Sequence, residues 1–167
     1  MKLHLGCGYK RLKGFVNIDL FKTHAVDLVL DIGKQKLPYE DNSVDYIQSE
    51  HVFEHLHWKE FHFALKEIHR VLKPTGKCYL LLPYATSLSG DSEYHAFRPR
   101  YWVFKSFDDK FNTHEYELPL FTIQRKLIFR GKYKPFSFFN HCVKLYEYSF
   151  LRYMFPAHEI KLIMVKK

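Results

Sequence analysis

The 167-residue chain is 47% hydrophobic and 26% charged, which is typical of one folded domain and argues against intrinsic disorder. It has no apolar run near the ~18 residues that a membrane-spanning helix needs, and its start leads straight into a strand-like run, so we expect neither a membrane span nor a signal peptide. Three widely spaced cysteines argue against a disulfide scaffold and favour a cytoplasmic location. The net charge of +8 falls entirely within residues 121–167, which hold ten basic and two acidic residues.

Four short strands are predicted in the first third of the chain, each followed by a turn signal. Alternating or continuous apolar residues place them at residues 3–5, 15–20, 27–32 and 44–49. Only residues 6–14 separate the first strand from the second, and only residues 21–26 separate the second from the third. A parallel crossover that includes a helix needs at least ~10–12 residues. We therefore expect the helices on this half of the sheet to be reduced to single turns.

The strongest helix signal follows the fourth strand. Apolar residues recur at spacings of three and four from Trp58 to Leu72, and Lys73-Pro74-Thr75-Gly76 ends the pattern. Residues 77–83 then read as a strand buried on both faces, residues 84–120 as an irregular segment, and residues 121–129 and 158–165 as two more strands. A hydrophobic, partly helical piece is predicted between them, at residues 138–155. Strands alternating with helical segments predict an α/β fold with a largely parallel sheet.

In such a sheet, ligands bind beyond the carboxyl ends of the strands. The chemistry-bearing residues of this chain lie at those ends: Gly6-Cys7-Gly8, Asp19, Asp31 and Ser49-Glu50-His51. A Gly-x-Gly turn lets the backbone approach a ligand closely, and an acidic residue that ends the next strand can accept hydrogen bonds from both hydroxyls of a ribose. The third glycine of a dinucleotide fingerprint is absent, because Lys10 stands in its place. A nucleoside ligand without a gripped phosphate is favoured.

Several stretches together resemble the class I S-adenosylmethionine-dependent methyltransferases, and more narrowly a small group with a shortened Gly-Cys-Gly start. They are LHLGCG (3–8), GFVNIDL (14–20), LPYEDNSVDYIQSEHVFEHL (37–56), ALKEIHRVLKPTGKCYLLLP (64–83), GDSEYHAFRPRYWVF (90–104) and YEYSFLRYMFPAHEIKLIMVKK (146–167). The resemblance implies one domain over residues 1–167 with a Rossmann-like seven-stranded sheet. The implied strand order is 3-2-1-4-5-7-6, with the last strand antiparallel.

The resemblance also implies a cofactor, S-adenosyl-L-methionine, and its contacts. Gly6, Cys7 and Gly8 would line its methionine part, as would Ser49 and Glu50. Asp19 would bind the ribose hydroxyls and Leu20 would lie against the adenine, flanked by Asp31 and Ile32. Residues 84–120 would act as a substrate or lid segment.

Two histidines are candidate general bases for a hydroxyl acceptor. His51 directly follows the fourth strand, and His95 lies in the irregular segment, from which it could reach the site from the other side. Histidine suits proton transfer near neutral pH. The alternative for His51 is a hydrogen bond that supports a neighbouring residue, and the alternative for His95 is a loop residue with no role in the reaction.

The same segment, residues 51–55, also fits the metal motif H-x-x-E-H. On a helix, His51 and His55 would lie one turn apart and could share a metal. Such a site needs a third ligand and a longer helix than the segment before Trp58 offers. The sequence therefore predicts no metal site.

The basic, aromatic C-terminal region leaves the partner open. Arg125, Lys126, Arg130, Lys132 and Lys134 alternate with Phe129, Tyr133 and Phe136, a pattern that could hold nucleic acid by phosphate contacts and stacking. Residues 138–155 could instead rest on a membrane surface. They could also cover the sheet where helices are reduced, unless a second subunit of a homodimer does so.

These observations predict a cytoplasmic methyltransferase that acts on oxygen or nitrogen of a small acceptor, for which the resemblance suggests a sugar or polysaccharide precursor. The alternatives are an RNA methyltransferase that uses the basic C-terminal region and a non-catalytic module that binds the cofactor or a partner protein.

Overall fold

The computed structural model describes residues 1–85, 95–96, 121–147 and 149–166. Seven strands form one sheet: β1 (Lys2–Leu5), β2 (Val16–Asp19), β3 (Leu28–Val29), β4 (Val44–Glu50), β5 (Leu72–Pro83), β6 (Phe121–Ile128) and β7 (Glu159–Lys166). Their order is β3-β2-β1-β4-β5-β7-β6. The first five strands are parallel, and β7 lies antiparallel between β5 and β6. The expected fold class and strand order are confirmed.

The principal helix, α1 (Trp58–Val71), packs along one face of this sheet. It begins with a reciprocal cap in which the Glu60 carboxylate accepts a hydrogen bond of 3.0 Å from the His57 backbone N–H. Phe61, Leu65 and Ile68 are fully buried and share one hydrophobic core with apolar residues of β1, β2 and β4. The helix ends at Val71, one residue before the predicted end, and β5 starts at Leu72.

Two strands, β3 and β5, differ from the sequence prediction by more than one residue at an end. β3 keeps only two of the six predicted residues, because the Asp31 carboxylate accepts a hydrogen bond of 2.9 Å from the Gly33 N–H and turns the chain away from the sheet. β5 begins five residues early, since residues 73–76 extend as an irregularity in the pairing with β4 instead of forming a separate turn.

Turns replace the helices that would link the first three strands, as expected. The buried Asn17 side chain accepts a hydrogen bond of 2.8 Å from the Leu12 N–H and donates to the carbonyls of Leu12 and Phe15. The Asp27 carboxylate accepts from the Asn17 backbone N–H at 2.9 Å and from Arg11 at 2.6 Å. Polar side chains therefore hold both short connections in place.

The second face of the sheet is polar, which explains how the short connections are tolerated. On alternate positions of neighbouring strands it carries His4, Asn17, Gln48, Glu50 and Tyr79. A sheet with one apolar and one polar face does not need an apolar cover on both sides. The prediction that β5 is buried on both faces is accordingly wrong at Tyr79, which is only half-buried.

The C-terminal aromatic segment packs beside β6, at the opposite end of the sheet from β1 to β3. It contains a 3₁₀ segment (Gly131–His141) and two short helices, α2 (Val143–Glu147) and α3 (Leu151–Met154). The Asn140 side chain accepts from the Leu127 N–H at 2.7 Å and donates to the Leu127 carbonyl, which fastens the segment to the strand. In the described chain it therefore does not cover the first three strands. None of the described helices is long and apolar enough to cross a membrane.

Candidate active site

A cavity of about 550 Å³ opens at the carboxyl ends of β1, β2 and β4. This volume lies within the range of small-molecule sites. The wall combines backbone, apolar and charged groups: Gly6, Gly8, Asp19, Leu20, Phe21, Leu30, Asp31, Ile32, Lys34, His51, Val52, His55, Leu56 and Glu60.

Gly6 forms the floor where β1 ends. Its φ of +67° lies in the left-handed region, and a Cβ at this position would stand 2.0 Å from Val52 Cγ2. Only glycine fits this site without moving Val52. The Gly6 and Cys7 N–H groups both donate to the Ile18 carbonyl, at 2.8 and 3.1 Å, so the turn is fixed to β2.

Asp19 ends β2 and faces the cavity. Its carboxylate accepts hydrogen bonds from the Gly8 N–H at 2.7 Å and from the Phe21 N–H at 3.0 Å. A carboxylate can accept about four hydrogen bonds, so two acceptor positions remain for a ligand. These two backbone bonds hold the carboxylate in one orientation beside the glycine turn.

A charged group borders the cavity on the side of α1. Lys34 Nζ lies 3.4 Å from the Asp31 carboxylate and 3.3 Å from the Glu60 carboxylate. These contacts, first with Glu60 and then with Asp31, raise the pKa of Lys34. The two ion pairs of Lys34 therefore link the turn after β3 to the first turn of α1.

His51 stands at the end of β4 with φ +55°, in the left-handed region that is uncommon for residues other than glycine. Strained backbone of this kind is found disproportionately at functional sites. Its Nδ1 lies 3.5 Å from Glu54 Oε1 and its Nε2 lies 3.1 Å from Glu159 Oε1. The contact with Glu54 raises the pKa of His51 above its usual value, although burial acts in the opposite direction.

Four residues that the sequence placed in the site do not line this cavity. Cys7 is buried against Ala25 and Val26, and burial raises the pKa of its thiol. The Ser49 hydroxyl is buried and donates to the Leu5 carbonyl at 3.0 Å. The other two are Glu50, whose carboxylate pairs with Lys10 at 2.9 Å on the polar face of the sheet, and His95, whose ring lies 4.9 Å from the ring of His55. Their predicted roles remain predictions.

Several cavity residues were not predicted from the sequence. Val52 and Leu56 form an apolar wall, and His55 lies between them on a 3₁₀ turn (Phe53–His55) that joins β4 to α1. The spacing of three and four between Val52, His55 and Leu56 is a helical signal that could have placed them on one side of the chain. Lys34 carried no signal, because its two partners come together only in the folded chain.

The family model described as "Methyltransferase domain" matches residues 3–80. That range contains the glycine turn, the acidic ends of β2 and β3, α1 and most of β5. Residues 3–80 are therefore similar to a methyltransferase domain, and the described residues have the fold of the class I S-adenosylmethionine-dependent methyltransferases. S-adenosylmethionine is the cofactor of this family.

Solved structures share the fold of this methyltransferase at low sequence identity. A SAM-dependent methyltransferase from Archaeoglobus fulgidus is 14% identical, with a TM-score of 0.65 over 99% of this chain and 85% of that chain. Phosphoethanolamine N-methyltransferase 2 of Haemonchus contortus, in complex with phosphomonomethylethanolamine and S-adenosylhomocysteine, is 16% identical, with a TM-score of 0.58 over 99% of this chain and 48% of that chain. The [4+2]-cyclase SpnF is 16% identical, with a TM-score of 0.62 over 99% of this chain and 73% of that chain. No curated protein sequence matches the chain.

Proposed function

We propose that this methyltransferase binds S-adenosylmethionine in the cavity beyond β1, β2 and β4 and transfers its methyl group to oxygen or nitrogen of a small acceptor. The observation that carries the proposal is the placement of Asp19, oriented by the Gly8 and Phe21 N–H groups, beside a turn where any residue larger than Gly6 would displace Val52. The proposal combines this placement with the similarity of residues 3–80 to a methyltransferase domain.

The cavity residues fit the parts of the cofactor. The free acceptor positions of Asp19 suit two ribose hydroxyls, whose hydrogen bonds to a carboxylate are charge-assisted and strong. Leu20 and Ile32 supply apolar surface for the adenine, and the Asp31 carboxylate at the rim can accept from its amino group. Gly6 has no side chain and so leaves room for the methionine part of the cofactor close to the backbone.

Methyl transfer needs alignment more than activation. When bound, S-adenosylmethionine supplies a methyl group on a sulfonium, which is already a strong electrophile. The acceptor atom forms a bond to the methyl carbon while the carbon–sulfur bond breaks and its electron pair stays on sulfur. His51 lines the cavity and is our candidate for taking the proton that a hydroxyl acceptor releases. One of its ring nitrogens would first have to leave Glu54 or Glu159.

A small acceptor is favoured over RNA by the C-terminal region. Phe129 is buried in the aromatic core, where it meets Tyr146 edge to face at 5.7 Å, and so cannot stack on a base. Arg130 is engaged by Glu159, with two nitrogen–oxygen distances of 2.6 and 2.7 Å. Two residues of the pattern that suggested nucleic acid therefore stabilise the fold instead: Phe129 packs in the core, and Arg130 forms an ion pair with Glu159. A sugar or polysaccharide precursor as acceptor rests on the resemblance alone.

Calorimetric titration with S-adenosylmethionine and S-adenosylhomocysteine tests the cofactor site. Wild type should bind both, and Asp19→Ala should bind them at least about tenfold more weakly, because each lost charge-assisted hydrogen bond is worth roughly 1.5–3 kcal/mol. Asp41→Ala, in the turn before β4 and outside the cavity wall, is the matched control and should bind as wild type does. Equal affinity of wild type and Asp19→Ala would contradict the proposed site.

Release of S-adenosylhomocysteine from a pool of sugar, amine and hydroxyl acceptors tests the reaction. His51→Ala should keep its cofactor affinity and lose roughly 10²–10⁴-fold in turnover on a hydroxyl acceptor. Cofactor binding by wild type without turnover on any acceptor would favour the non-catalytic module.

A further inference from the structure

Glu54 is a buried carboxylate whose ionic neighbour among the described residues is His51. Its side chain is 1% exposed, and neither oxygen accepts a hydrogen bond within the part of the chain that the structure describes. His51 Nδ1, at 3.5 Å from Oε1, is too distant for a good hydrogen bond. Burial of an ionised carboxylate without compensation is costly, so a buried carboxylate normally has a positive partner or a metal.

Two imidazoles meet this carboxylate. Glu54, His55 and His95 each offer one potential ligand atom, and these three atoms lie within 4.8 Å of one another. The rings of His55 and His95 stand edge to face, with centroids 4.9 Å apart and planes at 74°. His95 Nδ1 is buried and has no hydrogen-bond partner among the described residues.

Backbone contacts, and not only side chains, bring the group together. The 3₁₀ turn Phe53–His55 presents Glu54 and His55 consecutively, and its end is fixed by the hydrogen bond of 3.1 Å from the His55 N–H to the Val52 carbonyl. The Ala96 N–H donates to the Glu54 carbonyl at 2.7 Å, which brings His95 from forty residues away. The sequence argued against a metal because it offered no third ligand, and His95 supplies one.

We propose that Glu54, His55 and His95 form a binding site for a divalent first-row transition metal in the wall of the cavity. One carboxylate with two imidazoles is a donor set suited to Zn²⁺, Mn²⁺ or Fe²⁺. Mg²⁺ and Ca²⁺ prefer oxygen ligands and fit it poorly. His55 belongs both to this group and to the cavity wall, so the bound ion would lie beside the cavity. The cation would also compensate the buried charge of Glu54.

Metal titration of the purified chain without cofactor tests this site independently of methyl transfer. Co²⁺ added to wild type should give visible absorption that saturates at one equivalent, and Zn²⁺ should displace it. Glu54→Gln keeps the shape of the side chain and removes its charge, and His95→Gln removes one imidazole. Both should bind Zn²⁺ at least tenfold more weakly in calorimetry and lose the rise in Tm that Zn²⁺ gives wild type.

His24→Gln is the matched control, because His24 is an exposed imidazole outside the group, with its ring centroid 6.0 Å from that of Tyr9. It should bind Zn²⁺ as wild type does. A melting temperature within a few degrees of wild type in the absence of metal shows that each variant is folded. Equal Zn²⁺ affinity of wild type and both variants, or stronger binding of Mg²⁺ than of Zn²⁺, would overturn the proposal.

Discussion

Gly6 and Gly14 have similar backbone conformations and very different surroundings. Their φ angles are +67° and +81°, both in the left-handed region. A Cβ on Gly6 would collide with Val52, whereas a Cβ on Gly14 would have no atom within 4 Å. Both positions need the left-handed backbone that glycine prefers, but only Gly6 also needs the space that a Cβ would take. Comparing the two therefore separates the effect of the contact with Val52 from the effect of the backbone conformation.

Replacement of either glycine by alanine should destabilise the protein, and Gly6→Ala should do so more. A left-handed alanine costs roughly 1–2 kcal/mol, and overpacking against Val52 adds about 1–3 kcal/mol at Gly6. Urea denaturation of the two variants measures the difference. Gly6→Ala should also weaken cofactor binding, and Gly14→Ala should leave it unchanged. Similar losses of stability in both would show that Val52 moves aside freely.

Strained backbone also marks His51, where β4 gives way to the 3₁₀ turn. The sequence indicated this residue as a candidate because it follows a parallel strand, and the structure places it in the cavity wall. The contacts of His51 with Glu54 and Glu159 could not be predicted from the sequence. Glu159 is more than a hundred residues distant along the chain and meets His51 only because β7 lies beside β5.

At the scale of elements, the short connections replace helices by networks of polar groups. Asp27 is central to the first of them, since it accepts from the backbone and side chain of Asn17 and from Arg11. These hydrogen bonds, those of Asn17 first, lower the pKa of Asp27 to about 2. The charged carboxylate is the form that holds the connection.

Acid titration of stability should reveal this connection. Because the pKa of Asp27 is lower in the folded state than its ordinary value of 3.8, its contribution is complete above about pH 4 and is lost as the pH falls toward about 2. The free energy of unfolding of wild type and Asp27→Asn should therefore converge across that range. Asp45, whose pKa is also about 2 because of Lys73 and the N-terminus, gives a second acid step that Asp45→Asn removes separately. A constant difference between wild type and Asp27→Asn from pH 5 to pH 2 would contradict the assignment.

Across the whole molecule, the sheet divides an apolar face from a polar one. Leu80 and Tyr79 are neighbours in β5 and point to opposite faces. Leu80 is fully buried in the core, whereas Tyr79 is half-buried and lies under the ammonium group of Lys161 at 5.1 Å. The arrangement explains how a chain of this length forms a seven-stranded sheet with short crossovers.

Alanine substitutions at these two positions test the division. Leu80→Ala should cost about 2–5 kcal/mol, because it leaves a cavity in the core. Tyr79→Ala should cost about 1 kcal/mol, since it removes a half-exposed ring and one cation–π contact. Chemical denaturation at two protein concentrations gives both values. A loss at Tyr79 equal to that at Leu80, growing as the protein is diluted, would show instead that a second subunit covers the polar face.

The sequence by itself determined the local elements and their order. The spacing of apolar residues predicted α1, the turn residues separated the strands, and the short connections predicted that helices would be missing from the first half of the sheet. These features depend on neighbours within a few residues, where periodicity and turn chemistry decide the outcome. Gly6, Asp19 and Asp31 were found for the same reason, because the end of a parallel strand can be read locally.

Only the tertiary structure decided which of the strand-end side chains meet. The alternation of side chains along β4 sends Glu50 to the polar face and buries Ser49 against β1, so neither reaches the cavity. The C-terminal aromatic residues close the core beside β6, and the Ala96 N–H, which donates to the Glu54 carbonyl, brings His95 beside Glu54. Such contacts join residues far apart in the chain, and their partners depend on strand register and packing, which no local pattern encodes.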